Sequence, residues 1–193
     1  MNINIHKASD RGTASYKWLK ARYSFNFANY FDPKRERFGV LRVLNDDEVE
    51  GGGGFDMHPH NNMEIITIPL EGSLGHRDSM GNTSVISKNE VQYMSAGSGI
   101  THSEYNQSES ETLKLLQIWI FPKTRNTTPS YSQISLEGKR EQNKIQTIVS
   151  PEGGENIIRV NQDVWLSLLS SAAEKLYNYL VNKPGNNVFI FII

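Results

Sequence analysis

From Phe38 to Pro122 the chain is a succession of short β-branched or aromatic runs, each cut off by Gly, Asn, Asp or Ser, and this spacing restricts the fold more than any other feature. Val40–Leu44 runs into Asn45-Asp46-Asp47, Ile65–Ile68 into Glu71-Gly72, and Leu74–Arg77 into the turn Asp78–Asn82. Val91–Met94 stops at Gly97 and Gly99, and Leu113–Ile120, the longest apolar run in this region, is closed by Pro122. No long helical period competes, so the pattern predicts an all-β barrel or sandwich. Nearer the N-terminus, Ser15–Arg22 suits a short helix, and Tyr23-Ser24-Phe25-Asn26-Phe27 alternates with its aromatics on one face, as core residues do. Lys123–Ser132 is polar, contains Pro129 and lacks apolar periodicity, which predicts a linker. Beyond it, Ile145–Val149, Val164–Leu169, Leu176–Val181 and Val188–Ile193 read as further strands, the beginning of a second β-unit that does not finish. The expected division is therefore 1–132 for a first domain with its linker and 133–193 for a partial second one.

At 193 residues a sizeable core can be buried. Lys and Arg number 20 against 21 Asp and Glu, so no global field attracts nucleic acid or anionic membrane. The dense basic stretch Lys34–Arg37 is broken by Glu36 and reads as a solvated turn. No cysteine is present, which removes disulfides, thiolate metal sites and cysteine nucleophiles together and suits a reducing, cytoplasmic setting. Met1–Lys7 has no apolar leader core, and no apolar run reaches the roughly 20 residues that span a bilayer. A Gly-x-Ser-x-Gly elbow is missing, and Gly51–Gly54 lacks the Lys-Ser/Thr ending of a phosphate loop.

What remains is metal chemistry. His58-Pro59-His60 and His102-Ser103-Glu104 each place two metal-ligating side chains at i and i+2, on one face of a strand. Both pairs follow glycine-rich turns, Gly51–Gly54 and Ala96–Gly99, that let the backbone bend sharply. Pro59 cannot donate to a ladder, which puts its strand at an edge or rim. Three imidazoles with one carboxylate suit Fe(II), Mn, Co, Ni, Cu or Zn over Mg or Ca. Glu64 shares parity with His58 and His60 and rivals Glu104 for the carboxylate position. His76 reads as a hydrogen-bonded structural histidine, His6 as a terminal residue without a partner, and Glu71 and Asp78 as ordinary turn acids.

His58–Glu64, Leu70-Glu71-Gly72, His76–Asn82 and Ser95–Glu104 closely resemble the pirin family of the cupin superfamily, and Arg11-Gly12, Trp18-Leu19, Ser24–Tyr30, Asp32-Pro33 and Leu41–Asp47 resemble that family's N-terminal segment. Gly97 stands where proline is usual in cupins. The resemblance implies a bicupin, a jelly-roll cupin barrel followed here by a second, incomplete one, with one divalent metal, usually Fe(II), in the first. Its ligands would be His58, His60, His102 and Glu104, and Glu64 would not bind. It further implies an oxidoreductase resembling quercetin 2,3-dioxygenase, acting on a flavonol with O2, in which Glu104 takes the proton of the flavonol 3-hydroxyl. The alternatives are a non-enzymatic metal- or redox-sensing regulatory protein and an inactive truncated remnant. An unfinished barrel would leave Val188–Ile193 as an apolar edge strand inviting self-association.

Overall fold

The run Leu113–Ile120 is buried on both faces in the computed structural model of the chain, which describes residues 3–193. Leu113 and Leu115 join an apolar cluster with Leu19, Tyr23, Val49 and Leu74, whereas Leu116, Ile118 and Ile120 join a second one with Ile66, Ile148, Val149 and Ile158. Successive side chains of a strand point to opposite faces, so a strand apolar on both needs cover on both. The layers of the fold follow from that demand.

Along the chain the strands are β1 Gly12–Ser15, β2 Leu19–Tyr23, β3 Leu41–Val49, β4 Gly54–His60 and β5 Glu64–Glu71. They continue as β6 Ser73–Asp78, β7 Thr83–Ser87, β8 Glu90–Ser95, β9 Ile100–Asn106 and β10 Leu113–Ile120. The last four are β11 Ser130–Ser135, β12 Gln146–Ser150, β13 Ile158–Arg159 and β14 Leu166–Leu168. A seven-stranded antiparallel sheet in the order β1-β2-β3-β10-β5-β8-β11 faces a four-stranded antiparallel sheet, β4-β9-β6-β7. The three strands β13-β12-β14 supply Ile148, Val149 and Ile158 to the cluster on the outer side of β10. Each fully buried Leu or Ile in these layers contributes about 1.5–3 kcal/mol. The all-β expectation holds: among the described residues there is no α-helix, and none long and apolar enough to cross a membrane. Met1 and Asn2, the start of the stretch read as lacking a leader core, lie outside the described residues.

Several local expectations are corrected. Ser15–Arg22 is not helical; it lies in the β1–β2 hairpin, closed by Tyr16 N–H to the Leu19 carbonyl at 2.7 Å. Leu19, Ala21 and Tyr23 are buried and alternate with exposed Lys20 and Arg22, so a period of two wins over helix-favouring composition. The aromatic alternation ends with β2 at Tyr23: Tyr23 and Phe27 pack in the inner cluster, and Phe25 swings to the outer one. Asn45-Asp46-Asp47 is not a turn but the middle of β3, where Asn45 and Asp47 point inward and are buried. The division expected at 132/133 falls inside β11, which pairs with β8 along its whole length. Within Val164–Leu169 only Leu166–Leu168 is a strand, and neither Leu176–Val181 nor Val188–Ile193 forms one. A strand needs a partner ladder, and these segments meet none. Phe189 instead packs on Phe25 and Phe38 at ring-centroid distances of 5.6 and 5.4 Å, while Ile190 and Ile192 stay exposed.

Gly97 tests the turn that feeds β9. Its φ is +48°, and a Cβ there would stand 2.1 Å from the Thr127 carbonyl oxygen, so any side chain is both strained and blocked. Gly97→Ala is expected to lower the thermal midpoint by roughly 5 °C or more. Gly39→Ala, at φ +58° but with open space around it, is expected to lower it by less, as differential scanning fluorimetry would show.

Candidate metal centre

Glycines in and just before β4 allow the chain to lie close against β9 and the loop that follows it. A Cβ on Gly54 would come within 2.4 Å of the Tyr105 ring and 2.5 Å of the Glu104 carbonyl oxygen, and one on Gly51 within 2.4 Å of the Glu109 backbone. A register shift between Phe55 and His58 then sets His58 directly opposite His102, with His60 opposite Ile100. β4 is the edge of the four-stranded sheet, as Pro59 requires.

His58, His60 and His102 converge. Their ring centroids lie 4.4 to 4.9 Å apart, and a ligand atom from each lies within 4.8 Å of the others. His102 is fully buried, while His58 and His60 are half-buried at the rim. The backbone carbonyl of Asp56 accepts a 2.6 Å hydrogen bond from His58 Nδ1, which leaves Nε2 as the lone-pair nitrogen. His60 Nε2 and both ring nitrogens of His102 are buried with no hydrogen-bond partner among the described residues. Buried polar atoms left unpaired cost about 1–3 kcal/mol each, and an unpaired nitrogen on each of His60 and His102, beside the free Nε2 of His58, fits a borderline divalent metal. Trp119 meets the His60 ring edge-on at 4.8 Å and walls one side.

Glu104 sits deeper. Its ligand atom groups with those of His76 and His102 rather than with the two rim histidines. Its carboxylate accepts hydrogen bonds from Gln117 Nε2 at 2.9 Å and Thr67 Oγ1 at 3.4 Å, both from the facing sheet. Glu64, the rival carboxylate, is elsewhere: β4 ends at His60, Asn62 takes a φ of +49°, and the Glu64 side chain is fully buried against Tyr93 Oη and Ser95 Oγ. His76 bonds Asp78 as a structural histidine would, at 3.2 Å, but its ring also stands 5.3 Å from that of His102. Glu71 pairs with Lys114 at the surface, far from this chemistry.

Sequence reading missed a polar row on the inner face of the large sheet. Asn45, Gln117, Thr67 and Gln92 stand opposite one another across β3, β10, β5 and β8, directly behind Glu104. The signal was present in the parity Leu113, Leu115, Gln117, Trp119, which sets one amide among inward apolar residues. Asp47 lies two residues along β3 from Asn45 and is also buried.

Burial, followed by the His102 and His58 imidazoles, pushes His60 down to about 4 against the opposing pull of Glu104. Burial, then His58 and His76, pushes His102 down to about 3. Both rings are therefore neutral at pH 7 and carry the lone pairs a metal needs. Burial, then Asp46 and Glu104, pushes Asp47 up to about 8, so it holds its proton at neutral pH.

Two facing antiparallel sheets that enclose imidazoles and a carboxylate define a cupin-type β-barrel. The chain belongs to the pirin family, whose model matches residues 5–120. It is 46% identical over 164 residues to the quercetin 2,3-dioxygenase of Escherichia coli K12, covering 85% of this chain and 70% of that protein. A putative quercetin 2,3-dioxygenase of Mycobacterium tuberculosis H37Rv is 41% identical over 171 residues, covering 89% and 67%. Among solved structures, the bacterial pirin YhhW from Escherichia coli in complex with nickel(II) superposes with a TM-score of 0.79 at 45% identity, over 83% of this chain and 68% of that one.

These shifts set a pH dependence for the metal-free protein. Below the unfolded value of 6.5 the unfolded chain protonates His60 and His102 while the folded chain does not until about pH 4 and 3, so acid destabilises. Asp47 acts in the opposite sense: between 3.8 and about 8 the folded state holds a proton that the unfolded state lacks, so its penalty grows as pH rises through that window. With two imidazoles against one carboxyl, these groups place maximum stability near pH 6.5. Asp47→Asn is expected to gain on the order of 4 kcal/mol more at pH 8 than at pH 5, measured by urea unfolding of metal-stripped protein.

Proposed function

We propose that this chain is a metal-dependent dioxygenase of the quercetin 2,3-dioxygenase type, holding one divalent transition metal with His58, His60, His102 and Glu104 and opening a flavonol heterocycle with O2 and loss of CO. The observation that carries this reading is the convergence of three imidazoles in a pirin barrel, two of which, His60 and His102, keep a buried ring nitrogen with no hydrogen-bond partner among the described residues. Fe(II) is the proposed resident ion, and Mn, Co, Ni, Cu and Zn suit the same donors. Cytoplasmic residence is part of the proposal and accords with a chain free of cysteine.

When bound, the metal supplies Lewis acidity and a route for electrons between substrate and O2. The chain's own residues do the rest. The half-buried rim at His58 and His60 is the side from which a planar substrate reaches the site, with Trp119 and Phe55 as aromatic walls. Glu104 is the base: its carboxylate, steadied by Gln117 and Thr67, accepts the proton of the flavonol 3-hydroxyl. Loss of that proton leaves the substrate electron-rich and ready to react with O2.

His58→Ala and His102→Ala are each expected to lose most of the metal that co-purifies with the wild type, by elemental analysis, and with it flavonol consumption followed by absorbance. Full metal retention by both variants would overturn the ligand assignment. Self-association through the C-terminal segment is proposed on the exposed apolar side chains of Ile190, Ile192 and Ile193. Sedimentation is expected to show oligomers in the wild type that Ile190→Asp with Ile192→Asp disperses; a wild-type monomer at high concentration would end that idea.

A further inference from the structure

His76 carries a feature that the proposed ligand set does not use. Asp78 accepts hydrogen bonds from the backbone N–H groups of Met80 and Asn82 at 2.9 and 3.0 Å and from Asn82 Nδ2 at 2.8 Å, so its carboxylate acts as an acceptor throughout. His76 Nε2, 3.2 Å from Asp78 Oδ2, is therefore the donor of that pair. The lone pair is left on Nδ1, which is buried and has no partner among the described residues. A carboxylate that fixes one ring nitrogen while the other stands free and buried is the arrangement found behind metal-bound histidines. The Tyr131 ring, 5.0 Å away, packs against the imidazole and restricts its rotation.

Register completes the set. His76 lies directly opposite Glu104, and Asp78 opposite His102, on neighbouring strands of one sheet. His76, His102 and Glu104 are all buried, and one ligand atom from each lies within 4.8 Å of the others. Donors around a first-row ion stand roughly 3–4 Å apart at bonds of about 2.1 Å, so the set closes with side-chain shifts of about 1 Å. Two histidines and one carboxylate with open positions are a donor set typical of non-haem Fe(II).

We propose that the barrel holds its metal at two overlapping positions: the rim position described above, and an inner one ligated by His76, His102 and Glu104. Resting on the metal-centre reading, this adds a ligand and a second location for the same ion. Because His102 and Glu104 are shared, the positions exclude each other and the barrel binds one equivalent in total.

Co(II) titration of the metal-stripped full chain, followed by visible absorption, tests it. The wild type is expected to bind one equivalent. His58→Ala with His60→Ala is expected still to bind one equivalent, 10- to 1000-fold more weakly, and adding His76→Gln to abolish it. Asp78→Asn in the His58→Ala/His60→Ala background is expected to weaken Co(II) a further 10- to 100-fold, and in the wild-type background to leave the affinity within a few-fold. Circular dichroism identifies any variant that does not fold. In that event His58→Gln with His60→Gln, which keeps the side-chain volume, replaces the alanine pair, and the inner position requires it to bind Co(II) and to lose that binding when His76→Gln is added. A folded double variant that binds no Co(II), or one whose binding is unchanged by His76→Gln, overturns the inner position and leaves the rim site standing. No binding by the wild type overturns both.

Discussion

The structure depends on a strand that cannot be left uncovered on either side. β10 carries Leu113 and Leu115 inward and Leu116, Ile118 and Ile120 outward, and β3 and β5 clasp it along nearly its whole length. Its inner face becomes the rear wall of the barrel, and its outer face the platform on which β12 and β13 rest. Removing cover from either side would expose several large aliphatic groups, each costing about 1.5–3 kcal/mol. The chemistry is mounted on that wall: Gln117, from the same strand, is the group that steadies Glu104 at 2.9 Å.

The centre combines two environments with opposite demands. At the rim, β4 brings two half-exposed imidazoles against His102 through a shifted register. At depth, a row of amides and a hydroxyl crosses the large sheet, and two of its members, Gln117 and Thr67, hydrogen-bond one carboxylate. Burial serves both, because it keeps His60 and His102 neutral and able to donate lone pairs. The same burial withholds charge from Asp47, whose ionised form would stand close to that of Glu104. The interior thus carries fewer negative charges at neutral pH than its carboxyl groups suggest.

Much of this was legible in the residues, and what was not has a common cause. His58-x-His60 and His102-x-Glu104 announced shared faces because a strand repeats every two residues, a strictly local rule. Strand runs such as Val91–Met94 and Leu113–Ile120 were found for the same reason. Asn45–Asp47 was misread as a turn because polar residues usually end strands; here their partners, Gln117 and Leu115, lie some 70 residues away in sequence. Leu19, Ala21 and Tyr23 were hidden among helix formers. His76 beside Glu104 is a register fact, and register between distant strands is not written in either strand alone. Leu176–Val181 and Val188–Ile193 have strand composition without a strand to join.

Pro59 shows how one ring can serve both the site and the molecule's surroundings. It lies on the free edge of β4, between two histidines of the centre. Having no amide hydrogen, it interrupts the row of donors there, so another polypeptide seeking to extend this sheet would find its zipper broken beside the imidazoles. A neighbour's backbone is thereby kept from adding itself as a further strand at the two histidines.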